Sequence, residues 1–222
     1  MAGVEQHSDF REDPFGRLSN TSVFIALTSF GSLAGATEAI DRVRQVHTRV
    51  RGKADDGRKY SASEPELLTW VHVALVHSFL SSYQRYSGSP LTRAQRDRYF
   101  DEYALVALKL GAREVPRSGK EVGAYLQAMR PQLHATPAAL ETIAFLMKPP
   151  GQSTAERVLY PILAGACVDL LPAWARRELG LPPHQRVQSE IVRRAAGAVG
   201  TLMRWGVGKP MSVQWATERM AG

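Results

Sequence analysis

Helix-start signals are the feature of this sequence that most restricts its fold. Four segments match the capping box, in which a Ser or Thr and a Glu or Gln three residues later satisfy each other's backbone donors. They are Ser63/Glu66, Thr92/Gln95, Ser118/Glu121 and Ser153/Glu156. Thr136-Pro137 adds a fifth start, because proline at the first helical position lacks an N–H that would have no intrahelical partner. No alternating strand pattern competes, so the sequence predicts an all-α fold.

Apolar periodicity between these signals predicts eight or nine helices. They lie near residues 20–33, 36–51, 64–86, 93–110, 119–130, 137–147, 154–170, 173–179 and 185–205. Left-handed helix stops are expected at Gly52, Gly111 and Gly180, and an exposed turn at 53–59. We expect one helical domain over 1–222, with the helices at 36–51 and 64–86 at its centre.

Composition excludes several classes of protein. The 222 residues include one cysteine, Cys167, so an internal disulfide and any cysteine-cluster metal site are ruled out. No apolar run approaches the roughly 20 residues that span a bilayer, and the N-terminus lacks a signal-peptide pattern. The formal charge of +7 is spread along the chain without a basic block, which disfavours a nucleic-acid partner. A soluble, cytoplasmic protein is expected.

His47 is the first candidate for chemistry. On a helical wheel, at about 100° per residue, it falls inside an apolar sector of roughly 120°. The sector comprises Ile40, Val43, Val46, His47 and Val50, and it is flanked by Arg44 and Arg51. An inward imidazole bordered by guanidiniums is typical of an axial iron ligand with partners for cofactor carboxylates. The alternative is a core histidine that is hydrogen-bonded to a carbonyl or a glutamate.

His72 is the second candidate, on the helix near 64–86. Its predicted buried face is formed by Leu68, Val71, His72, Leu75, Phe79 and Tyr83. His77 lies five residues further on, which does not fit the i, i+4 pair of a zinc-protease helix. A serine-nucleophile elbow and the phosphate-loop and dinucleotide fingerprints are also absent from the sequence.

Arg17 and Thr21 lie four residues apart and are therefore adjacent across one helical turn. An ion pair near a helix start and a hydroxyl bonded back to its own helix would also explain them.

Taken together, the motifs resemble those of the latex-clearing rubber oxygenases and the MpaB-type oxygenases, from about Val4 to Leu181. The similarity rests on the order and spacing of several short segments. They are Gly3–Pro14, Arg17-x-x-x-Thr21, Phe30-Gly31, Arg44–Gly52, Tyr60-x-Ala62, Glu64–His72, Leu171-Pro-x-Trp174 and Leu179–Pro182. Characterised members of this all-helical family hold a b-type haem.

The resemblance implies roles for particular residues. His47 would be the axial iron ligand, Arg17 and Thr21 would act on dioxygen or the substrate, and His72 would be an outer partner or an alternative ligand. It also implies a hydrophobic small-molecule substrate. Rubber oxygenases have a lysine where this chain has Asn20, so the resemblance does not imply identical chemistry on that side. The family's preceding helix, with the carboxylate base of the rubber oxygenases, is expected to be shortened or missing.

Two readings of function follow. One is a haem-dependent oxygenase or related oxidoreductase with His47 as ligand. The alternative is a cofactor-free helical binding module of the same scaffold, which holds a lipophilic ligand or a partner subunit. A basic nucleic-acid-binding bundle is a third, weaker possibility. The sequence leaves the oligomeric state open.

Overall fold

A computed structural model describes residues 2–8, 11–54, 57–148, 154–183, 190–198, 200, 214, 215 and 217. The described part of the chain contains nine α-helices with defined bounds, a short 3-10 turn at Arg130–Gln132 and one two-stranded ribbon. The helices are α1 (Ala2–His7), α2 (Pro14–Phe30), α3 (Leu33–Arg49), α4 (Pro65–Tyr86), α5 (Arg93–Leu110), α6 (Gly119–Met129), α7 (Pro137–Met147), α8 (Thr154–Leu170) and α9 (Ala173–Glu178). Residues 190–198 are also helical. The all-α prediction is confirmed.

Capping explains where several helices begin. Thr136 caps α7 as predicted, since its hydroxyl accepts from the Ala139 N–H at 3.2 Å. Ser118 likewise accepts from the Glu121 N–H at 3.3 Å. The predicted start of α2 was six residues late, because the Asp13 carboxylate accepts from the Gly16 N–H at 2.8 Å and begins the helix at Pro14. Ser153 lies outside the described residues.

The start of α4 departs from the predicted Ser63/Glu66 box. Glu64, not Glu66, reaches back, and its carboxylate accepts from the Ser61 N–H at 2.9 Å. The helix then begins at Pro65, where proline is favoured because its missing N–H costs no helical bond.

The exposed turn predicted at 53–59 is present, and it connects two strands of a β-hairpin that the sequence did not predict. Helix α3 ends at Arg49, two residues before the predicted end at 51. Strands β1 (Arg51–Lys53) and β2 (Lys59–Ser61) pair antiparallel, with Gly52 opposite Tyr60. The left-handed stop predicted at Gly52 is wrong, whereas Gly111 and Gly180 have positive φ of 108° and 63°. A Cβ at Gly52 would lie 2.6 Å from the Tyr60 hydroxyl, so this glycine allows a close approach.

The chain forms two compact units. The first comprises 1–76, 93–123 and 208–222, and the second comprises 77–92 and 124–207. In the first unit, α2 packs along α3, and α3 packs on α5. Its apolar cluster is formed by Leu68, Ala104, Ala107, Ala112 and Val115. In the second unit, α7 contacts α8. That 1–222 is a single domain stays a prediction.

The buried residues of α3 and α4 correct two expectations. In α3 the fully buried residue is Ile40, so this helix is not at the centre, because its remaining surface is largely charged or polar. In α4 the buried residues are Leu68, Thr69, Val73, Val76 and Leu80. The predicted face is confirmed at Leu68 and wrong at Val71, Phe79 and Tyr83, which are exposed. Because α4 is apolar around much of its circumference, periodicity alone could not select the packed face.

Among the described residues, no helix has both the length and the apolar character needed to cross a membrane.

Candidate functional site

His47 lies in the last turn of α3 and is half-buried. Its Nδ1 atom is shielded from solvent and has no hydrogen-bond partner among the described residues. Burial lowers the pKa of this imidazole, so the ring is neutral at pH 7 and one of its nitrogens carries a free lone pair. Of the predicted apolar sector, Ile40 is buried and Val46 is 53% exposed. His47 is thus at the edge of the packed region.

His72 lies in the second turn of α4 and is also half-buried. Burial lowers its pKa from 6.5 to about 4, a larger effect than at His47. Its Nε2 atom is buried without a partner among the described residues. The neighbouring residue Val73 is fully buried. His72 therefore lies beside the packed part of the helix.

Two buried imidazole nitrogens without partners are unusual, because leaving one buried polar group unsatisfied costs about 1–3 kcal/mol. A bound ion or water is the ordinary partner of such a group.

The two predicted cofactor arginines differ in position. Arg44 is on α3 with its side chain 58% exposed, and it lies 3.8 Å from the Asp41 carboxylate. Arg51 begins β1, and its Nε donates to the Thr48 carbonyl at 3.1 Å. Both guanidiniums therefore border the end of α3 that carries His47.

Arg17 and Thr21 share one turn of α2, as predicted. The Thr21 hydroxyl donates to the Arg17 carbonyl at 3.1 Å, and the Arg17 Nη1 donates to the Ser8 hydroxyl at 2.6 Å. Every residue from 17 to 23 is exposed. The two side chains are adjacent, but this turn of α2 is open to water in the described structure.

The hairpin carries a shallow cleft of about 450 Å³ that opens to solvent. It is lined by Arg51, Gly52, Lys53, Lys59, Tyr60, Ser61 and Glu64. Helix α1 supports it: the Tyr60 hydroxyl donates to the Gln6 side-chain carbonyl at 2.8 Å, and the Gln6 amide donates to the Lys53 carbonyl at 2.9 Å. The cleft thus includes Arg51 but neither histidine.

A haem iron receives four nitrogens from the porphyrin and needs only one or two ligands from the protein. The described residues contain no cluster of three or more His, Cys, Asp or Glu suited to a bare metal ion. A neutral, buried imidazole nitrogen without a partner is the donor that a porphyrin iron requires. His47 and His72 each have a buried ring nitrogen that could serve as this donor in the matching tautomer, and Arg44 and Arg51 at the end of α3 could pair with carboxylates.

The hairpin cleft was missed by the sequence reasoning, although a signal for it was present. The turn predicted at 53–59 contains a glycine, which short hairpin loops often place at a positive φ, and Gly57 has a φ of 83°. The flanking strands are only three residues long, too short for an alternating pattern to stand out.

Comparison with known proteins places the chain in a family. The family model described as "ER-bound oxygenase mpaB/B'/Rubber oxygenase, catalytic domain" matches residues 1–201. No curated protein and no solved structure matches the chain.

Proposed function

Since the chain belongs to the mpaB/rubber oxygenase catalytic-domain family, we propose that it is a b-type haem-dependent oxygenase with His47 as the axial iron ligand. Its proposed substrates are dioxygen and a hydrophobic small molecule. The oxygenase class follows from the family, whereas the cofactor, the ligand and the substrate class belong to the proposal.

The single observation that carries the proposal is the His47 Nδ1 atom, which is buried without a partner among the described residues. Its lowered pKa keeps the ring neutral, so no proton has to leave before a metal binds. The cofactor's carboxylates also require a cationic partner, and a neighbouring guanidinium can provide one. Arg44 and Arg51 supply it from the same end of α3.

When bound, a haem supplies the iron centre at which dioxygen is activated. The protein's own contribution is binding and orientation. His47 would bind the iron and fix the position of the cofactor, and Arg44 and Arg51 would pair with its carboxylates. His72 has a free buried nitrogen of its own, so it is either the partner that orients the site from α4 or the competing ligand.

Arg17 and Thr21 are proposed to orient dioxygen or the substrate. The Thr21 proton is engaged by the Arg17 carbonyl, which leaves the hydroxyl oxygen able to accept a hydrogen bond. The Arg17 guanidinium has several N–H donors, of which one bonds to Ser8. A charge-assisted bond from Arg17 would therefore be the stronger of the two contributions.

The proposal is tested by absorption spectroscopy of the purified chain, before and after addition of haemin. We expect a Soret band with one haem per chain and dioxygen consumption in the presence of an apolar alkene. A protein that remains colourless and does not bind haemin at micromolar concentration would contradict the haem assignment. Haem binding without any dioxygen uptake would contradict the oxygenase assignment separately.

A cofactor-free binding module is the second candidate. It is favoured by the open turn of α2, where Leu18 and Val23 are 62% and 53% exposed beside Arg17 and Thr21. Such apolar side chains fit a lipophilic ligand or a partner subunit. Thermal stabilisation by long-chain lipophilic ligands, together with no response to haemin, would support this candidate. Dioxygen-dependent turnover would rule it out.

A further inference from the structure

Two large apolar side chains are exposed where α2 turns into α3. Phe30, the last residue of α2, is 39% exposed, and Leu33, the first residue of α3, is 78% exposed. Leu33 is the most exposed large apolar side chain in the described part of the chain. Only Gly31 and Ser32 separate the two residues, and α2 packs along α3. Both side chains therefore lie at the same end of this helix pair.

The sequence around this turn carries no charge. Residues 18–37 include no Asp, Glu, Lys, Arg or His, although 22% of the whole chain is charged. It is the longest run of this kind in the sequence. Moving an ionic group out of water is costly, so the absence of such groups lets this segment leave water more easily than the charged remainder of α3.

The polar groups of the turn are bonded within the protein. The Gly31 N–H donates to the Leu27 carbonyl at 3.0 Å, and the Ser32 hydroxyl accepts from the Gly35 N–H at 3.2 Å. The other three polar side chains between residues 28 and 37 are engaged as well. The Thr28 hydroxyl donates to the Phe24 carbonyl at 2.9 Å, Ser29 bonds the Tyr103 hydroxyl at 2.6 Å, and Thr37 donates to the Leu33 carbonyl at 2.8 Å.

This arrangement favours a lipid surface over a protein partner. A protein interface forms about one hydrogen bond per 100–200 Å², but the polar side chains of the turn are already bonded internally. A stable dimer also buries about 800 Å² on each partner, several times more than two side chains offer. In a bilayer, internal bonding of polar groups is a requirement, because acyl chains provide no partner.

We propose that the α2–α3 tip, residues 30–33, inserts Phe30 and Leu33 into the acyl boundary of a lipid bilayer and holds the protein at a membrane surface. The tip enters one leaflet and does not cross it. The formal charge of +7 adds attraction to anionic headgroups, and the two side chains supply the apolar contact. The inference goes beyond the proposed oxygenase function and does not depend on it, since vesicle binding requires neither haem nor dioxygen.

The test is co-sedimentation of the purified protein with phosphatidylcholine vesicles, prepared with and without phosphatidylserine. We expect binding to both kinds of vesicle and tighter binding when phosphatidylserine is present. The double variant Phe30→Gln/Leu33→Gln should lose at least about tenfold in vesicle affinity, because two apolar side chains no longer leave water. Phe30→Trp should retain the affinity, since Trp favours the membrane interface. Its additional fluorescence should shift to shorter wavelength when vesicles are added.

Leu105→Gln is the matched control, because it removes another exposed apolar side chain. Leu105 is 53% exposed, and it lies about 200° around α5 from Tyr103, the residue that bonds Ser29 beside the tip. This variant should bind vesicles as wild type does. Circular dichroism of each variant shows whether its helices are retained.

Three results would overturn the proposal. The first is equal vesicle affinity of the double variant and wild type. The second is binding that requires phosphatidylserine, disappears at high salt and is unchanged in the double variant, because adsorption would then depend on net charge alone. The third is a concentration-dependent dimer that the double variant loses while wild type ignores vesicles, which would assign the tip to a second copy of the chain.

Discussion

The last turn of α3 and the second turn of α4 each present a histidine, but in different surroundings. Around His47 the helix is charged, and its ion pairs Arg42–Glu38 and Arg44–Asp41 are exposed. Around His72 the helix is apolar, with Val73 and Val76 fully buried. The stronger lowering of the pKa at His72 follows from this difference. A nitrogen without a partner costs more free energy at His72, whereas the two arginines that the proposal assigns to cofactor carboxylates, Arg44 and Arg51, belong to the end of α3 that carries His47.

This contrast makes the choice of iron ligand testable, and it carries the largest expected effect. We predict that His47→Ala weakens haem affinity by more than about 100-fold, close to 3 kcal/mol, because loss of an outer partner alone already costs up to that amount. His72→Ala should weaken it by no more than about tenfold. Haemin titration followed at the Soret band measures both.

The assignment of His47 as the ligand would be wrong if His72→Ala lost more haem affinity than His47→Ala. A large loss in His72→Ala with a small loss in His47→Ala would move the ligand from α3 to α4. Equal large losses would indicate that both imidazoles bind the iron. Circular dichroism of each variant shows whether the helices are retained, so that a folding defect is not mistaken for a lost ligand.

The second prediction concerns the stability of the protein in acid. Its expected free-energy change is nearly as large as that of the first prediction. The pKa of His72 falls from 6.5 to about 4 on folding, so between these values the unfolded chain binds a proton that the folded chain does not. Stability is therefore complete above pH 6.5 and is lost as the pH falls toward 4, by at most about 3 kcal/mol. His47 acts in the same direction.

Urea unfolding at a series of pH values between 7 and 4 measures this loss. The variant His72→Gln should remove most of the pH dependence in that window, and His47→Gln should remove less. If His47→Gln reduced the pH dependence of stability more than His72→Gln, then His47 on α3, and not His72 on α4, would be the more strongly buried histidine.

The third prediction tests which face of α4 is packed against the core. Val73 is 0% exposed and Val71 is 54% exposed, so the same substitution can be made on both faces of one helix. Val73→Ala should lower the free energy of unfolding by about 2 kcal/mol more than Val71→Ala, since only the first deletes buried methyl groups and leaves a cavity. The change in helix propensity is the same at both positions and cancels. Equal losses in denaturant unfolding would place the core elsewhere.

Helix ends that depend on neighbouring residues were predictable from the sequence, whereas buried faces that depend on packing between helices were not. The cap at Thr136 and the helical bounds of α5 and α7 follow from neighbouring residues, so they were predictable to within a residue or two. The buried face of α4 depends on its packing partners. Small alanines on α5, Ala104 and Ala107, belong to the same cluster as Leu68, and a helix with apolar residues on every side gives no local signal of that preference.

In the candidate site, too, local features were predicted from the sequence and long-range contacts were not. The positions of Arg17 and Thr21 on one turn follow from helical spacing alone and were predicted. The open surroundings of this turn and the hairpin after α3 were not, because both depend on contacts between segments distant in sequence. Tyr60 and Gln6, which bond across the hairpin, are 54 residues apart.

The smallest expected effect separates the charged surroundings of His47 from the histidine itself. Arg44→Gln should weaken haem affinity by about two- to fivefold, or 0.5–1 kcal/mol, because an exposed guanidinium is screened by water and contributes little to a carboxylate partner. Arg42→Gln is the matched control, since Arg42 lies elsewhere on the wheel of α3 and pairs with Glu38 at 3.0 Å. Raising the salt concentration should reduce the difference between Arg44→Gln and wild type but leave the effect of His47→Ala intact, because a coordination bond is not screened. If Arg42→Gln and Arg44→Gln weakened haem binding equally, the arginines would act through the net charge of α3, and the carboxylate edge of the cofactor would have no specific partner there.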